Sequence, residues 1–330
     1  MKRSARAIAH PNIALAKYWG KFDAEGNFPA VPSLSVTLAG MRTETSVRFD
    51  PALREDRLLL QGEPASAPAA ARMVTLLDRV RKAAGFDTRA EVVSQNDFPT
   101  ASGLASSASG FAALALAAVR AAGLDWDLGA VSDLARRSSA SAARSIFGGF
   151  VALPAGEKGL VMLPAEPLLP ADHWDLVVVV AVATEQAKEV GSTEGMLRTA
   201  RTSPLYEGWL QGAPRVYERV RQALVDRDLE ALGQAVEQSA LAMHGTAMGA
   251  APPIVYFRPA TIAALEAVRA LRRKGTLAYA TIDAGPHVKV VAEASNLDVV
   301  ADAMRNVPGI ERIIVTRPGP GAAIIAEEAA

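Results

Sequence analysis

The sequence predicts an α+β fold of two lobes, on three observations. Strand-like and helix-like segments mix along the chain without the strict β-α alternation of a parallel sheet. The length of 330 residues suits two domains or one two-lobed body, and half of the residues are apolar, enough for a large core. No internal repeat is visible at solenoid periods. We place the division between residues 1–170 and 171–330, beside the Pro-containing stretch Pro164–Pro170, with the last strand able to return to the first lobe.

The elements follow in order. The N-terminal MKRSARAIAHPNIALAKYWG has basic residues but lacks the continuous apolar run of a secretory signal. Gln61–Ala71, rich in Ala and Pro, reads as a surface loop running into a helix with Met73, Leu76, Leu77 and Val80 on one face. Arg89–Ser94 reads as a short strand. Beyond a glycine-serine loop, the small-residue run Ser106–Ala122 reads as a helix. Phe147–Leu153 and Asp175–Ala183 read as strands, and Pro164–Pro170 as the link between lobes. Leu176–Ala183 is the most apolar run, yet it is far too short to span a bilayer. Helices follow at Asp228–Met243 and Pro259–Arg273. The second has Ile262, Leu265, Val268 and Leu271 in register and Gly275 where a helix-stopping glycine belongs. Strands at Leu277–Ile282, Val288–Val291 and Arg312–Thr316 complete the reading.

Composition narrows the function. Lys and Arg number 35 against 35 Asp and Glu, so no global basic excess marks a duplex-DNA binder. A small polyanion needs only a local cluster of donors and stays possible. The absence of cysteine excludes disulfides, thiolate zinc, iron–sulfur ligation and a catalytic thiol. The expected location is the cytoplasm, with no nucleic-acid and no membrane partner.

Four segments carry candidate chemistry. Phe98–Gly110, FPTASGLASSASG, places Gly103 in a tight turn and Ser106 and Ser107 at the mouth of a helix. Free N–H groups, a positive dipole end and hydroxyls suit phosphate oxygens or a magnesium ion. An N-capped helix packed closely through Ala and Gly explains the same residues. In Asn12–Asp23, NIALAKYWGKFD, Lys17 and Lys21 bracket Tyr18, Trp19 and Gly20 at helical spacing or along an extended turn. Two ammonium groups and a phenol suit a diphosphate, whereas snorkelling lysines around a buried Trp would be structural. In Arg136–Gly149, Ser139 or Ser141 capping a helix beside Arg144 would make an anion site, and an ordinary capped helix is the alternative. Ala278–Val288 delivers Asp283 to the end of an apolar strand, where a carboxylate could orient or deprotonate a hydroxyl, or simply serve the Gly285–Pro286 turn. His10, His173, His244 and His287 are scattered, show no metal-ligand spacing, and read as structural.

Together these segments resemble the diphosphomevalonate decarboxylase family, of the galactokinase, homoserine kinase, mevalonate kinase and phosphomevalonate kinase superfamily. NIALAKYWGKFD, PSLSVTL, FPTASGLASSASG, RRSSASAARSIFGGF, STEGM, TSPLY, PPIVYF, TIDAGP and RPGPGA occur in family order across essentially the whole chain. The resemblance implies an N-terminal lobe like ribosomal protein S5 domain 2, a ferredoxin-like C-terminal lobe and a site in the cleft between them. It implies an ATP- and magnesium-dependent reaction in which the tertiary 3-hydroxyl of 5-diphosphomevalonate is phosphorylated. Phosphate and carbon dioxide then leave to give isopentenyl diphosphate. By position, Asp283 matches the catalytic aspartate, Arg144 the carboxylate-binding arginine and Lys17 a lysine near the reacting phosphate. Tyr18, Lys21, Ser139, Ser141 and Ser192 match substrate contacts. Ser94, Asn96, Gly103, Leu104, Ala105, Ser106 and Ser107 match the nucleotide side, with Ser106 and Ser107 nearest the expected magnesium. A homodimer is the assembly the resemblance implies. Ser138 and Ala140 stand where the family commonly has glycine, Thr193 where some members have Arg, and His287 where Asn is common. These departures remove no catalytic group but leave the substrate's phosphate count open. The alternatives are a 5-phosphomevalonate decarboxylase or a mevalonate 3-kinase on the same scaffold and, from a different class, a non-catalytic nucleotide-binding protein.

Overall fold

In the strand Leu176–Val182 every residue is buried, which requires cover on both faces of its sheet. The cover is divided by the strand's two-residue period. Leu176, Val178, Val180 and Val182 face one core and Val177, Val179 and Ala181 the other. This strand is central in an antiparallel sheet ordered Ala278–Ile282, Val288–Glu293, Leu176–Val182, Arg312–Thr316. The computed structural model describes residues 3–98, 106–184, 186 and 188–328.

A second sheet of four strands runs Glu166–Leu169, Phe150–Leu153, Ser33–Thr37, Asn12–Ala16. Its Ile13, Leu15, Leu34, Val36 and Phe150 join Val178 and Val180 of the first sheet in one core. Helices Tyr206–Asp226 and Leu229–Met248 complete that core through Val220, Leu224, Leu232 and Val236. The two sheets are therefore locked together through shared apolar packing, and polar side chains at their adjoining ends are held in fixed relation. The remaining face of the Leu176–Val182 sheet is covered by Pro259–Arg273 and Leu297–Arg305 through Val268, Val300 and Met304.

The third sheet has six strands, ordered Ala323–Glu328, Arg3–Ala9, Thr43–Phe49, Ala90–Asn96, Arg57–Leu60, Glu63–Pro64. Thr43–Phe49 alternates buried and half-buried positions, so only one face is fully covered. The cover on that face is the small-residue helix Ser106–Ala121, whose Ala112, Ala113, Ala115, Ala117 and Ala118 are fully buried. Such small side chains let the backbone lie close to the sheet. The closing strand Ala323–Glu328 returns to this sheet and pairs antiparallel with Arg3–Ala9.

Several boundaries differ from the sequence reading. Gln61–Ala71 is not wholly a loop: Glu63–Pro64 pairs with Leu59 and Leu60, and the helix begins at Ala67. Pro68 sits in its first turn, where a missing N–H breaks no intrahelical bond. Pro164–Pro170 is not a free link, because Glu166–Leu169 forms the edge strand beside Phe150–Leu153. That strand starts at Phe150, since Gly149 takes a φ of 69°. The helix capped by Asp228 runs on to Met248. Among the described residues, no helix is long and apolar enough to cross a membrane.

Candidate active site

Asp283 lies one residue past the strand Ala278–Ile282, at the end that faces the second sheet. Its Oδ1 accepts a hydrogen bond from the Lys17 ammonium at 2.6 Å, and its Oδ2 lies 3.0 Å from that of Lys289. Lys17 follows the strand Asn12–Ala16 and also donates to the Ala14 carbonyl at 2.8 Å. Its backbone N–H is held by Ser239 Oγ at 2.9 Å. Both lysines are buried, while 26% of the Asp283 side chain stays open, so this residue is only partly closed off from solvent. Burial drives the Lys17 ammonium down to about 8, against the pull of Asp283. Burial alone would raise the Asp283 carboxyl. Lys17 and Lys289 outweigh it and hold the group well below the usual carboxylate range, fully ionised.

A second cation has no such anion. Arg144, on the short 3-10 turn Ala140–Ile146, is buried, and among the described residues its guanidinium bonds only neutral groups. Nε donates to Ser35 Oγ at 2.9 Å, one terminal nitrogen to Ser33 Oγ at 2.7 Å, and the other to Asn12 Oδ1 at 3.4 Å. Asn12 is fixed in turn by donating to Ser145 Oγ at 2.7 Å and the Ser141 carbonyl at 3.0 Å. Burial lowers Arg144 to about 10, with Asp283 and Tyr18 opposing the fall. A buried guanidinium without a carboxylate is a ready receptor for one.

The walls are aromatic and hydroxylic. The Tyr18 hydroxyl is buried with no hydrogen-bond partner among the described residues, and burial pushes its pKa upward. Trp19 packs edge-on against Tyr256, and its carbonyl accepts from Trp209 Nε1 at 2.7 Å. Gly20 takes a φ of 107°, and a Cβ there would sit 2.1 Å from the Tyr206 hydroxyl. Lys188 donates to Ser192 Oγ at 2.9 Å and to the Ala284 carbonyl at 2.8 Å, tying the segment before helix Ser192–Thr202 to the Asp283 turn. His244 lies beneath, stacked near Phe257 at 4.5 Å. Its pKa falls to about 4 through burial first and Lys17 next, so its ring is neutral.

The structure brings together Lys17, Asp283, Arg144 and Tyr18, which influence one another electrostatically. Three details of the sequence reading change. Lys17 and Lys21 are not on a helix: residues 17–20 are irregular, and Lys21 opens the short strand Lys21–Asp23. Lys17 therefore turns inward to Asp283 while Lys21 is only half-buried, its pKa lowered by burial and by nearby Arg72. Ser139 takes the N-cap position of the 3-10 turn, but its hydroxyl makes no capping bond and instead pairs with that of Ser141 at 3.1 Å.

Ser94 and Asn96 lie on the strand Ala90–Asn96, bonded to Thr45 at 2.8 Å and Thr43 at 2.5 Å. Gly103, Leu104 and Ala105 lie outside the described residues, as does the side chain of Ser106; Ser107 is exposed at the start of helix Ser106–Ala121. Among the described residues, no cluster of three His, Cys, Asp or Glu side chains could hold a metal ion. A magnesium ion carried by nucleotide phosphates needs few protein ligands and keeps several waters, so this donor set fits that mode. Sequence reasoning missed Lys289, Lys188, Asn12, Ser33 and Ser35. A lone Lys inside the apolar run Val288–Glu293 is the signal that could have exposed the first.

Residues 9–162 match the diphosphomevalonate decarboxylase-like N-terminal domain, and residues 178–316 the mevalonate 5-diphosphate decarboxylase C-terminal domain. The diphosphomevalonate decarboxylase of Candida albicans is 32% identical, over 96% of this chain and 97% of its own. The phosphomevalonate decarboxylase of Haloferax volcanii is 35% identical, over 98% and 99%. A solved structure of MDDEF in complex with MVAPP, AMPPCP and magnesium superposes with a TM-score of 0.92 at 40% identity, covering 98% of this chain and 99% of that one.

Proposed function

The chain belongs to the diphosphomevalonate decarboxylase family, and from that premise we propose that it converts 5-diphosphomevalonate and ATP to isopentenyl diphosphate, ADP, phosphate and carbon dioxide. The observation that carries this reading is the pairing of an ionised, partly exposed Asp283 with a buried Arg144 that has no anionic partner among the described residues.

In this assignment Arg144 binds the substrate carboxylate, held in place by Ser33, Ser35 and Asn12. Asp283 accepts a hydrogen bond from the 3-hydroxyl and orients its oxygen toward the γ-phosphorus of ATP. Two lysines make Asp283 a weak base, so the hydroxyl proton moves onto it as the new P–O bond forms and the bond from the γ-phosphorus to the departing ADP breaks, rather than before. Lys17 stands beside the transferred phosphoryl group as a counter-charge. Phosphate then departs from C3 with the C–O electron pair. The electrons of the bond to the carboxylate close the new double bond, and carbon dioxide leaves. A tertiary alkoxide is a poor leaving group and phosphate a good one, which is why ATP is consumed. Tyr18, Lys21, Ser139, Ser141 and Ser192 are assigned to the substrate's diphosphate. Ser94, Asn96 and the segment 103–107 are assigned to the nucleotide. Magnesium bound to the phosphates beside Ser106 and Ser107 would neutralise their charge.

The phosphate number has a second reading, because a phosphomevalonate decarboxylase is as similar to this chain as the diphosphate-specific relatives. We extend the proposal to a cytoplasmic homodimer of two lobes, 1–170 and 171–330, a state that sedimentation velocity measures directly. Purified protein given ATP, magnesium and 5-diphosphomevalonate should release carbon dioxide and phosphate in equal amounts, and neither without ATP. Release of neither with ATP present would refute the proposal.

A further inference from the structure

Lys289 is 1% exposed, and the one ion-pair partner of its ammonium among the described residues is Asp283 Oδ2. It sits on the strand Val288–Glu293, paired with Ile282 and Thr281 of the neighbouring strand through Val288 and Lys289. Lys17 reaches the other carboxylate oxygen from a different sheet. A carboxylate held at one oxygen can rotate about its Cβ–Cγ bond; held at both, by groups on two rigid elements, it has one plane. Each oxygen still keeps a lone-pair direction for a further donor.

We propose that Lys289 is a positioning residue for the reaction: it fixes Asp283 Oδ2 while Lys17 fixes Oδ1, so the carboxylate meets the substrate hydroxyl ionised and in a single orientation. The inference rests on the decarboxylase reading and adds to it a residue with no assigned part. Its charge logic involves every element around Asp283. Lys17 comes from the Asn12–Ala16 strand, Lys188 from the segment before helix Ser192–Thr202, His244 from helix Leu229–Met248, and Arg144 from the 3-10 turn. His244 is neutral, Arg144 bonds hydroxyls and an amide, and Lys188 bonds a hydroxyl and a carbonyl. Among the described residues, only Lys17 and Lys289 form ion pairs with the carboxylate. Removing Lys289 therefore frees the carboxylate to rotate and removes one of the two cations that keep it ionised.

The test compares Lys289→Met, Lys289→Gln and Lys289→Ala with the wild type. Lys289→Met should lower kcat about 10- to 100-fold with KM for ATP within about twofold. The acid limb of its kcat–pH profile should move to higher pH, because Asp283 then takes a proton more readily. Ethylammonium should restore part of the Lys289→Ala rate, and sodium chloride at equal ionic strength should not. Lys289→Gln, which keeps length and a donor without the charge, carries the same pH test if the other two variants fail to fold. An unchanged kcat, or a fallen kcat with the acid limb in place and no rescue by the amine, would overturn the proposal. Carbon-13 NMR titration of the Asp283 carboxyl, assigned through Asp283→Asn, needs no turnover. An upward shift of its titration in Lys289→Gln supports the clamp even if the decarboxylase reading fails, and an unmoved titration refutes the clamp even if that reading holds.

Discussion

Replacing Arg144 by Met separates a group held for binding from one held for stability. Truncating a partner of a buried ion pair usually costs about 3–5 kcal/mol, because a charge is left unpaired. Arg144 has no such partner: its three described contacts are Ser33, Ser35 and Asn12. Burial lowers it from 12.5 to about 10, which corresponds to about 3 kcal/mol spent keeping it charged. Removing the guanidinium recovers that amount and forfeits three hydrogen bonds from a charged donor, about 1.5 kcal/mol or more each. These contributions largely offset, so Arg144→Met should lower unfolding stability by about 1–2 kcal/mol. That corresponds to roughly 1–3 °C in Tm for a chain of 330 residues. Loss of the charge-assisted pair with the substrate carboxylate should raise KM about 10- to 100-fold and lower kcat. Calorimetric unfolding and steady-state kinetics on one preparation provide the assay. A loss of about 4 kcal/mol would contradict the reasoning, and so would an intact KM.

Other expectations follow from the same geometry. Asp283→Asn should cut kcat by about 100-fold or more while ATP binding stays near wild type, measured by kinetics and nucleotide titration; near-normal turnover would remove Asp283 from the chemistry. Because Lys17 lies at about 8 in the free protein, binding a polyanion should raise it and take up a proton. The uptake should be about half a proton at pH 8 and about a tenth at pH 7. Calorimetry in buffers of different ionisation heat reads it, and Lys17→Met should abolish it. Gly20→Ala forces a side chain into a φ of 107° and against the Tyr206 hydroxyl, so it should destabilise by about 1–3 kcal/mol and raise substrate KM through Tyr18 and Lys21. Unaltered stability and KM in that variant would show that the turn is not under this constraint.

Much of the site was legible in sequence because its residues are chemically conspicuous where they stand. Asp283 ends an apolar strand, Lys17 breaks an apolar one, and both are expensive to bury unless paired. What the chain could not disclose locally was who pairs with whom. Lys17 is separated from Asp283 by most of the sequence and meets it only because two sheets share one core, whereas Lys289 reaches Asp283 across the turn that joins two neighbouring strands. The serine-rich support of Arg144 was hidden for a related reason: Ser33 and Ser35 look like ordinary strand residues until the 3-10 turn is laid beside them. In the fold, the helix Tyr206–Asp226 escaped notice because Pro214 interrupts its pattern, and tertiary packing overrides that local penalty. The edge strand Glu166–Leu169 was masked by the prolines beside it and by Pro167 within it, which a sheet edge tolerates.

The central claim is ATP-driven decarboxylation of a diphosphate ester at the Asp283–Arg144 cleft. The most direct measurement compares mevalonate, its 5-phosphate and its 5-diphosphate under identical conditions, following ADP and carbon dioxide together. The account predicts equal ADP and carbon dioxide from the 5-diphosphate, at a kcat/KM well above that of the other two. Greater turnover of the 5-phosphate, or ADP formed without carbon dioxide, would contradict it.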